Sequence, residues 1–198
     1  MNLPNKITIC RIIATPVFLF FLVPGWFGQF LGINQWGRYA AAAIFVFAAL
    51  TDMLDGRLAR KYNMISELGK FLDPIADKLL VTSALIALIS TDNLSVWIVF
   101  IIVAREFIVS GLRLVAACKG VVIAADKWGK LKTIVQIIAI VAILLNNYPF
   151  SLISDFPFGM VFMYIAVALT IISGVNYIVK NYRLLSNKWS IEKVNSGL

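Results

Sequence analysis

Asp52, Asp55, Asp73 and Asp77 fall within one short stretch, Thr51 to Lys78 (TDMLDGRLARKYNMISELGKFLDPIADK), of a chain that is 61% hydrophobic. An ionised carboxylate in an apolar layer costs several kcal/mol unless it is paired or metal-bound, so four together need a reason. Their spacing supplies one. Asp52 and Asp55 are three residues apart and Asp73 and Asp77 four apart, which puts each pair on one face of a helix. The short connection makes the two helices antiparallel neighbours and can direct both pairs into one cleft. Carboxylates gathered this way repel one another. Hard divalent cations such as Mg²⁺ or Mn²⁺ relieve the repulsion, because they favour oxygen ligands and work beside substrate phosphates. The competing reading is a solvated interfacial cluster in which the same acids pair with Arg57, Arg60, Lys61, Lys70 and Lys78. The glycines weigh against it: Gly56 follows Asp55 and Gly69 precedes Asp73 by four, removing side chains where something bulky must approach the backbone. Pro74 cannot donate to the carbonyl of residue 70, so a kink or a free carbonyl is expected beside the acids.

The elements that must position these acids are membrane helices. With 198 residues and a mean hydropathy of +0.88, the chain is too apolar to bury its greasy residues in one soluble core. A crossing takes about 20 apolar residues. Runs of that kind fall at about 7–24, 38–58, 68–90, 94–118, 130–147 and 158–180, giving an all-α bundle of six transmembrane helices in a single domain over 1–198, with a polar tail at 185–198. Pro24-Gly25, Asp92-Asn93, Asn146-Asn147-Tyr148-Pro149 and Pro157 supply the turns. The start of the chain lacks a clear cleavage pattern and reads as mature protein.

Basic residues crowd one set of helix ends, around Lys6 and Arg11, Arg57 to Lys78, Lys119 to Lys132, and Lys180 to Lys193; Arg38, Asp92 and Asp155 mark the other set. By the positive-inside rule both termini and the acidic cleft are cytoplasmic. The net charge of +8 is then topology and attraction to anionic lipid, and no basic face on a soluble module points to nucleic acid. The absence of His leaves acid–base work to carboxylates and basic side chains. Cys10 and Cys118 have no metal or disulfide spacing and read as packing residues.

The acids and glycines together spell D-x2-D-G-x2-A-R-x8-G-x3-D-x3-D at Asp52, Asp55, Gly56, Ala59, Arg60, Gly69, Asp73 and Asp77. This resembles, at every fixed position, the signature of the CDP-alcohol phosphatidyltransferases. The resemblance implies a six-helix bundle, a homodimer, and a site for two divalent ions, Mg²⁺ or Mn²⁺, opening to the cytoplasm of a bacterial cell. There the phosphatidyl group of CDP-diacylglycerol passes to a small alcohol. It implies that Asp52, Asp55, Asp73 and Asp77 hold the metals and that Asp77 also deprotonates the acceptor hydroxyl. Gly56, Arg60, Ser66 and Gly69 are placed on the CDP-diacylglycerol side, although Ser66 also reads as the N-cap of the third helix. Asn2 to Arg11, NLPNKITICR, is similar to the start of the branch of the family that uses sn-glycerol 3-phosphate, with Asn5 and Thr8 near the nucleotide or, alternatively, capping the first helix.

AREFIVSGLRLVAACKG and the following DKWGKLKT resemble the same branch. Arg105 lies well inside the fourth helix, where an unpaired charge is expensive. Arg113, eight residues on and about 80° around the helix, can face the same cavity. With Lys127 or Lys130 they suit an acceptor that carries a phosphate; the local alternative is that Glu106 or the aspartates merely neutralise Arg105. The last two helices offer only hydrophobicity. Other acceptors remain open, namely phosphatidylglycerol (giving cardiolipin), serine or an inositol phosphate. A divalent-cation transporter built on the same aspartates requires a continuous polar path, which the dry outer halves of the helices argue against.

Overall fold

The computed structural model describes the backbone of residues 3–23, 25, 32, 35–62, 67–118, 120, 127–148 and 156–181, and their side chains except at 3–8, 35, 52–62, 67–74, 77, 118 and 127. It contains six helices, α1 Leu3–Leu22, α2 Gln35–Tyr62, α3 Glu67–Asp92, α4 Val96–Cys118, α5 Lys127–Leu144 and α6 Phe158–Lys180, and no strand among the described residues. Each lies on one expected apolar run. Several are longer than their runs, because the apolar run marks the hydrocarbon layer whereas helical hydrogen bonding continues through polar sequence beyond it. At ~1.5 Å per residue, the 28 residues of α2 exceed the roughly 30 Å apolar layer. The surplus, from Asp52 onward, carries the first acidic pair. Pro74 does not interrupt α3. Pro16 sits within α1, and in the turn before it the Thr15 hydroxyl donates to the Arg11 carbonyl at 3.0 Å.

α5 ends three residues before the apolar run does. Asn146 and Asn147 take φ of +51° and +60°, a left-handed conformation that asparagine tolerates better than most residues. The Asn147 side-chain oxygen then accepts the Gly159 N–H at 2.7 Å, tying the end of α5 to the start of α6. A Cβ on Gly159 would lie 2.7 Å from Ile143 Cγ1 and 3.0 Å from the Ile143 nitrogen, so this glycine sets the closest approach of α5 and α6. α1 packs along both α2 and α3; α4 lies against α3 and α6, and α5 against α2, α3 and α6. The described contacts of α2 and α3 thus run mainly through α1.

The core begins with Phe18 of α1 against Phe45 of α2, ring centroids 5.8 Å apart, and continues through Leu85 and Leu88, Ile102, Ile140 and Leu144 to Met163. Alanines such as Ala41, Ala84 and Ala139 let the backbones approach. The outside is equally apolar: Phe47, Trp97, Phe100, Phe107, Leu114 and Val179 are all exposed. An apolar exterior on this scale belongs against lipid. Trp36, Tyr39, Trp97, Tyr148 and Phe156 are exposed toward one end of the bundle, the distribution of an aromatic interfacial belt. Among the described residues, Phe158–Lys180 is the one helix that is long and apolar enough by composition alone. In α1 and α2 the described apolar stretches, Ile9–Leu22 and Trp36–Thr51, are shorter, and in α4 the charged Arg105, Glu106 and Arg113 dilute the signal.

Arg38 closes the aromatic end. Its Nη2 donates to Asp92 Oδ1 at 2.6 Å and to the Ile143 carbonyl at 3.0 Å, and its Nε donates to the Leu144 carbonyl at 3.4 Å. One guanidinium therefore joins α2 to α3 and adds donors to the last carbonyls of α5, of which that of Ile143 also accepts the Asn146 N–H. Arg38→Ala is expected to lower stability by about 2 kcal/mol, between the values for exposed and buried ion pairs. Thermal unfolding in detergent, followed by tryptophan fluorescence, checks this. Arg38→Lys should recover only part of the loss, because an ammonium cannot reproduce the planar fork.

Candidate active site

The acidic motif lies at the opposite end of the bundle from Arg38. Asp52 and Asp55, with Gly56 and Arg60, are on the C-terminal part of α2, and Gly69, Asp73 and Asp77 are on the N-terminal part of α3. Asn5 and Thr8 are on the first turns of α1, the helix packed against both of the others. The side chains of these residues, and Ser66 altogether, lie outside the described residues. Among those described, no group of three or more His, Cys, Asp or Glu gathers. An all-carboxylate donor set on two helices held by a third is chemically suited to hard divalent cations. Immediately before Asp52, Thr51 shares a cavity of about 20 Å³ with Cys10, Arg11, Ala14, Phe47 and Ala48. Arg11, read from sequence as a topology signal, is only 5% exposed and so brings a buried cation to this face of α1. Cys10, expected to pack inside, is exposed.

A second polar cluster joins α3, α4, α5 and α6 around Glu106, near the middle of α4. Glu106 Oε1 accepts the Lys132 ammonium at 2.7 Å and Arg105 Nη1 at 3.1 Å. Arg105 Nη2 donates to Ser173 Oγ at 3.1 Å. Lys78, next to Asp77 in sequence, donates to Ser110, whose hydroxyl in turn donates to the Glu106 carbonyl at 2.7 Å. Lys132 is only 2% exposed and Gln136, one turn further along α5, 1%. The described residues therefore set three cations, Lys78, Arg105 and Lys132, around one carboxylate. Cations gathered in this way favour an anionic ligand.

Arg105 and Arg113 do reach a common surface, the α6 face carrying Ser173 and Tyr177 one turn apart. Arg113 Nε donates to the Tyr177 hydroxyl at 3.3 Å, and its guanidinium carbon stands 5.6 Å from the centre of that ring. Glycines make the room: a Cβ on Gly174 would come within 3.1 Å of Arg105 Cγ, and one on Gly129 within 3.4 Å of Arg105 Nη2. The local alternative for Arg105 is present as well, since Glu106 does pair with it. Lys130 is exposed, and the Lys127 side chain lies outside the described residues. Among the described side chains, the α5 lysine that enters the cluster is Lys132. α5 and α6, read as purely hydrophobic, contribute Lys132, Gln136, Ser173 and Tyr177. The signal was available: polar residues interrupting LKTIVQIIAIV and LTIISGVNYIV are expensive in a bilayer unless they face inward.

A membrane-embedded helical bundle with carboxylates at one end of two helices and a cation-rich cluster beside them is equipped to handle a phosphate ester at a lipid surface. The sequence matches the CDP-alcohol phosphatidyltransferase family over residues 1–172, and the chain belongs to that family. It is 45% identical, over 93% of this chain and 97% of the relative, to a CDP-diacylglycerol–glycerol-3-phosphate 3-phosphatidyltransferase of Bacillus subtilis (strain 168). It is 42% identical to a probable phosphatidylglycerophosphate synthase of Mycobacterium tuberculosis, over 92% of this chain and 82% of the relative. An Arabidopsis thaliana CDP-diacylglycerol–glycerol-3-phosphate 3-phosphatidyltransferase is 36% identical, over 95% and 83% respectively.

Proposed function

We propose that the chain transfers the phosphatidyl group of CDP-diacylglycerol to sn-glycerol 3-phosphate, giving phosphatidylglycerophosphate and CMP. The 1-hydroxyl oxygen of the acceptor forms a bond to the β-phosphorus. The bond from that phosphorus to the oxygen of CMP breaks, and CMP leaves with the electron pair. Asp77 takes the hydroxyl proton, work suited to a carboxylate in a chain without histidine. Asp52, Asp55, Asp73 and Asp77 would hold two divalent ions, Mg²⁺ or Mn²⁺, which supply charge neutralisation to the diphosphate. Gly56 and Gly69 leave room for the nucleotide end of the lipid. Arg60 offers phosphate a bidentate fork, and Asn5, Thr8 and Ser66 complete that side. Arg105 and Arg113, with Lys127 and Lys130, receive the acceptor's phosphate. The site faces the cytoplasm with both termini, in the membrane of a bacterial cell, and the working unit is a homodimer by analogy with the family.

The observation that carries the choice of acceptor is the excess of cations around Glu106, with both arginines on one face of α6. Serine carries no phosphate to meet that charge. Phosphatidylglycerol is anionic but has its phosphate within the lipid. The test is CMP release by the purified protein with CDP-diacylglycerol and Mg²⁺ or Mn²⁺, offering glycerol 3-phosphate, phosphatidylglycerol, serine and inositol phosphate in turn. Metal-dependent release with glycerol 3-phosphate alone is expected. Selective use of another acceptor would overturn the assignment and leave the family intact.

A further inference from the structure

The α3–α4–α5 junction encloses a cavity of about 40 Å³ lined by Lys78, Thr82, Glu106, Lys132, Thr133 and Gln136 among others. The volume holds a few waters and is too small for a phosphate group. Its lining includes the donors of Lys78, Lys132 and Gln136, and the last of these is unused. The Gln136 side-chain nitrogen, on a residue 1% exposed, has no hydrogen-bond partner, nor has the buried Arg105 Nε close by. Buried donors without acceptors are rare, and they mark a place where an acceptor-rich group is missing. Among the described residues, the cavity's charged acceptor is the Glu106 carboxylate. It draws both Lys132 and Arg105 onto a single oxygen, while its side chain remains 27% accessible.

Resting on the functional reading above, we infer that Glu106 is a built-in stand-in for the acceptor's phosphate. In the empty protein its carboxylate neutralises Lys132 and Arg105. When glycerol 3-phosphate arrives, the carboxylate swings aside, its departure makes the room the cavity lacks, and the phosphate takes over both cations together with the free Gln136 and Arg105 donors. The exchange of one anion for another keeps negative charge against the buried Lys132 ammonium throughout. It also sets specificity. A dianionic phosphate can displace a monoanionic carboxylate, and a neutral alcohol cannot. Glu106 acts through its hold on the two cations and is a positioning residue.

The inference predicts that removing the Glu106 charge strengthens anion binding. In E106Q, inorganic phosphate should compete with glycerol 3-phosphate about tenfold more strongly than in the native protein, through loss of one like charge a few ångströms away. The KM for glycerol 3-phosphate should fall, and that for CDP-diacylglycerol should stay unchanged. In metal-free detergent, E106Q should unfold at lower temperature than the native protein and gain more from added inorganic phosphate, since at a given concentration the tighter ligand stabilises more. E106D, which keeps the charge but draws it back by one methylene, should fall between the two and remains available if E106Q does not fold. Unchanged or weaker phosphate competition in E106Q or E106D, or equal thermal gains in variant and native protein, would overturn the inference. If the native protein turns over glycerol 3-phosphate while these shifts are missing, the stand-in role alone fails. If it uses no phosphate-bearing acceptor, the functional reading fails, and the thermal measurement still decides whether Glu106 holds an anion's place.

Discussion

Replacing Asp77 by asparagine is expected to reduce CMP release by about 10³-fold, within the range that a positioned general base contributes. Asparagine matches aspartate in shape and keeps one oxygen donor, but it cannot take a proton. The step it blocks is removal of the acceptor's hydroxyl proton as that oxygen closes on phosphorus. Binding of CDP-diacylglycerol should persist, because the lipid-side contacts assigned to Gly56, Arg60 and Gly69 are untouched. The two roles assigned to Asp77 can be separated. If the loss came only from a weakened metal site, raising Mn²⁺ would restore the rate; if it comes from the missing base, the rate stays low at saturating metal. Turnover measured alongside lipid binding, across a metal titration, checks this. A near-native rate would remove Asp77 from the chemistry.

The depth to which the sequence could be read differed between the acids and the cations for a physical reason. Asp52 to Asp77 lie within one helix–turn–helix segment, so spacing along the chain fixes which faces of α2 and α3 they occupy. Matching the apolar runs to the hydrocarbon thickness gave all six helices, since a bilayer dictates their length. The helix ends drifted, at α2 because helical hydrogen bonding continues past the apolar layer, and at α5 because Asn146 and Asn147 turn left-handed. The cationic cluster draws Lys78 from α3, Arg105, Glu106 and Ser110 from α4, Lys132 from α5 and Ser173 from α6. No spacing rule links Lys78 to Ser110 or Glu106 to Lys132, and only the packing of α5 and α6 against their neighbours brings them together. Lys127 and Lys130 stand beside the motif, yet among the α5 lysines with described side chains it is Lys132, two residues beyond Lys130, that turns inward. Helical phase decides between them. The direction of inward for α5 is set by its contacts with α2, α3 and α6, which an almost uniformly apolar helix does not announce.

Arg113→Ala is expected to raise the KM for glycerol 3-phosphate by about 10- to 100-fold, with less than about twofold change in the KM for CDP-diacylglycerol. The magnitude follows from losing a hydrogen bond to a charged group, about 1.5–3 kcal/mol, at about tenfold per 1.4 kcal/mol. Arg113 is the arginine to change because it is exposed and its described partner is one tyrosine hydroxyl. Its removal costs the buried Tyr177 one hydrogen-bond donor, a smaller disturbance than losing the network around Arg105. Arg105 is tied to Glu106 and Ser173, with its stem against Gly174. Truncating it breaks a largely buried network, and lost stability would obscure any effect on the acceptor. Arg113→Lys should restore only part of the affinity, because it returns the charge without the fork that grips two phosphate oxygens. A rise in both Michaelis constants together would mean that Arg113 supports the lipid's diphosphate or the bundle as a whole. A rise confined to glycerol 3-phosphate fixes the α4–α6 face as the side from which the acceptor is held.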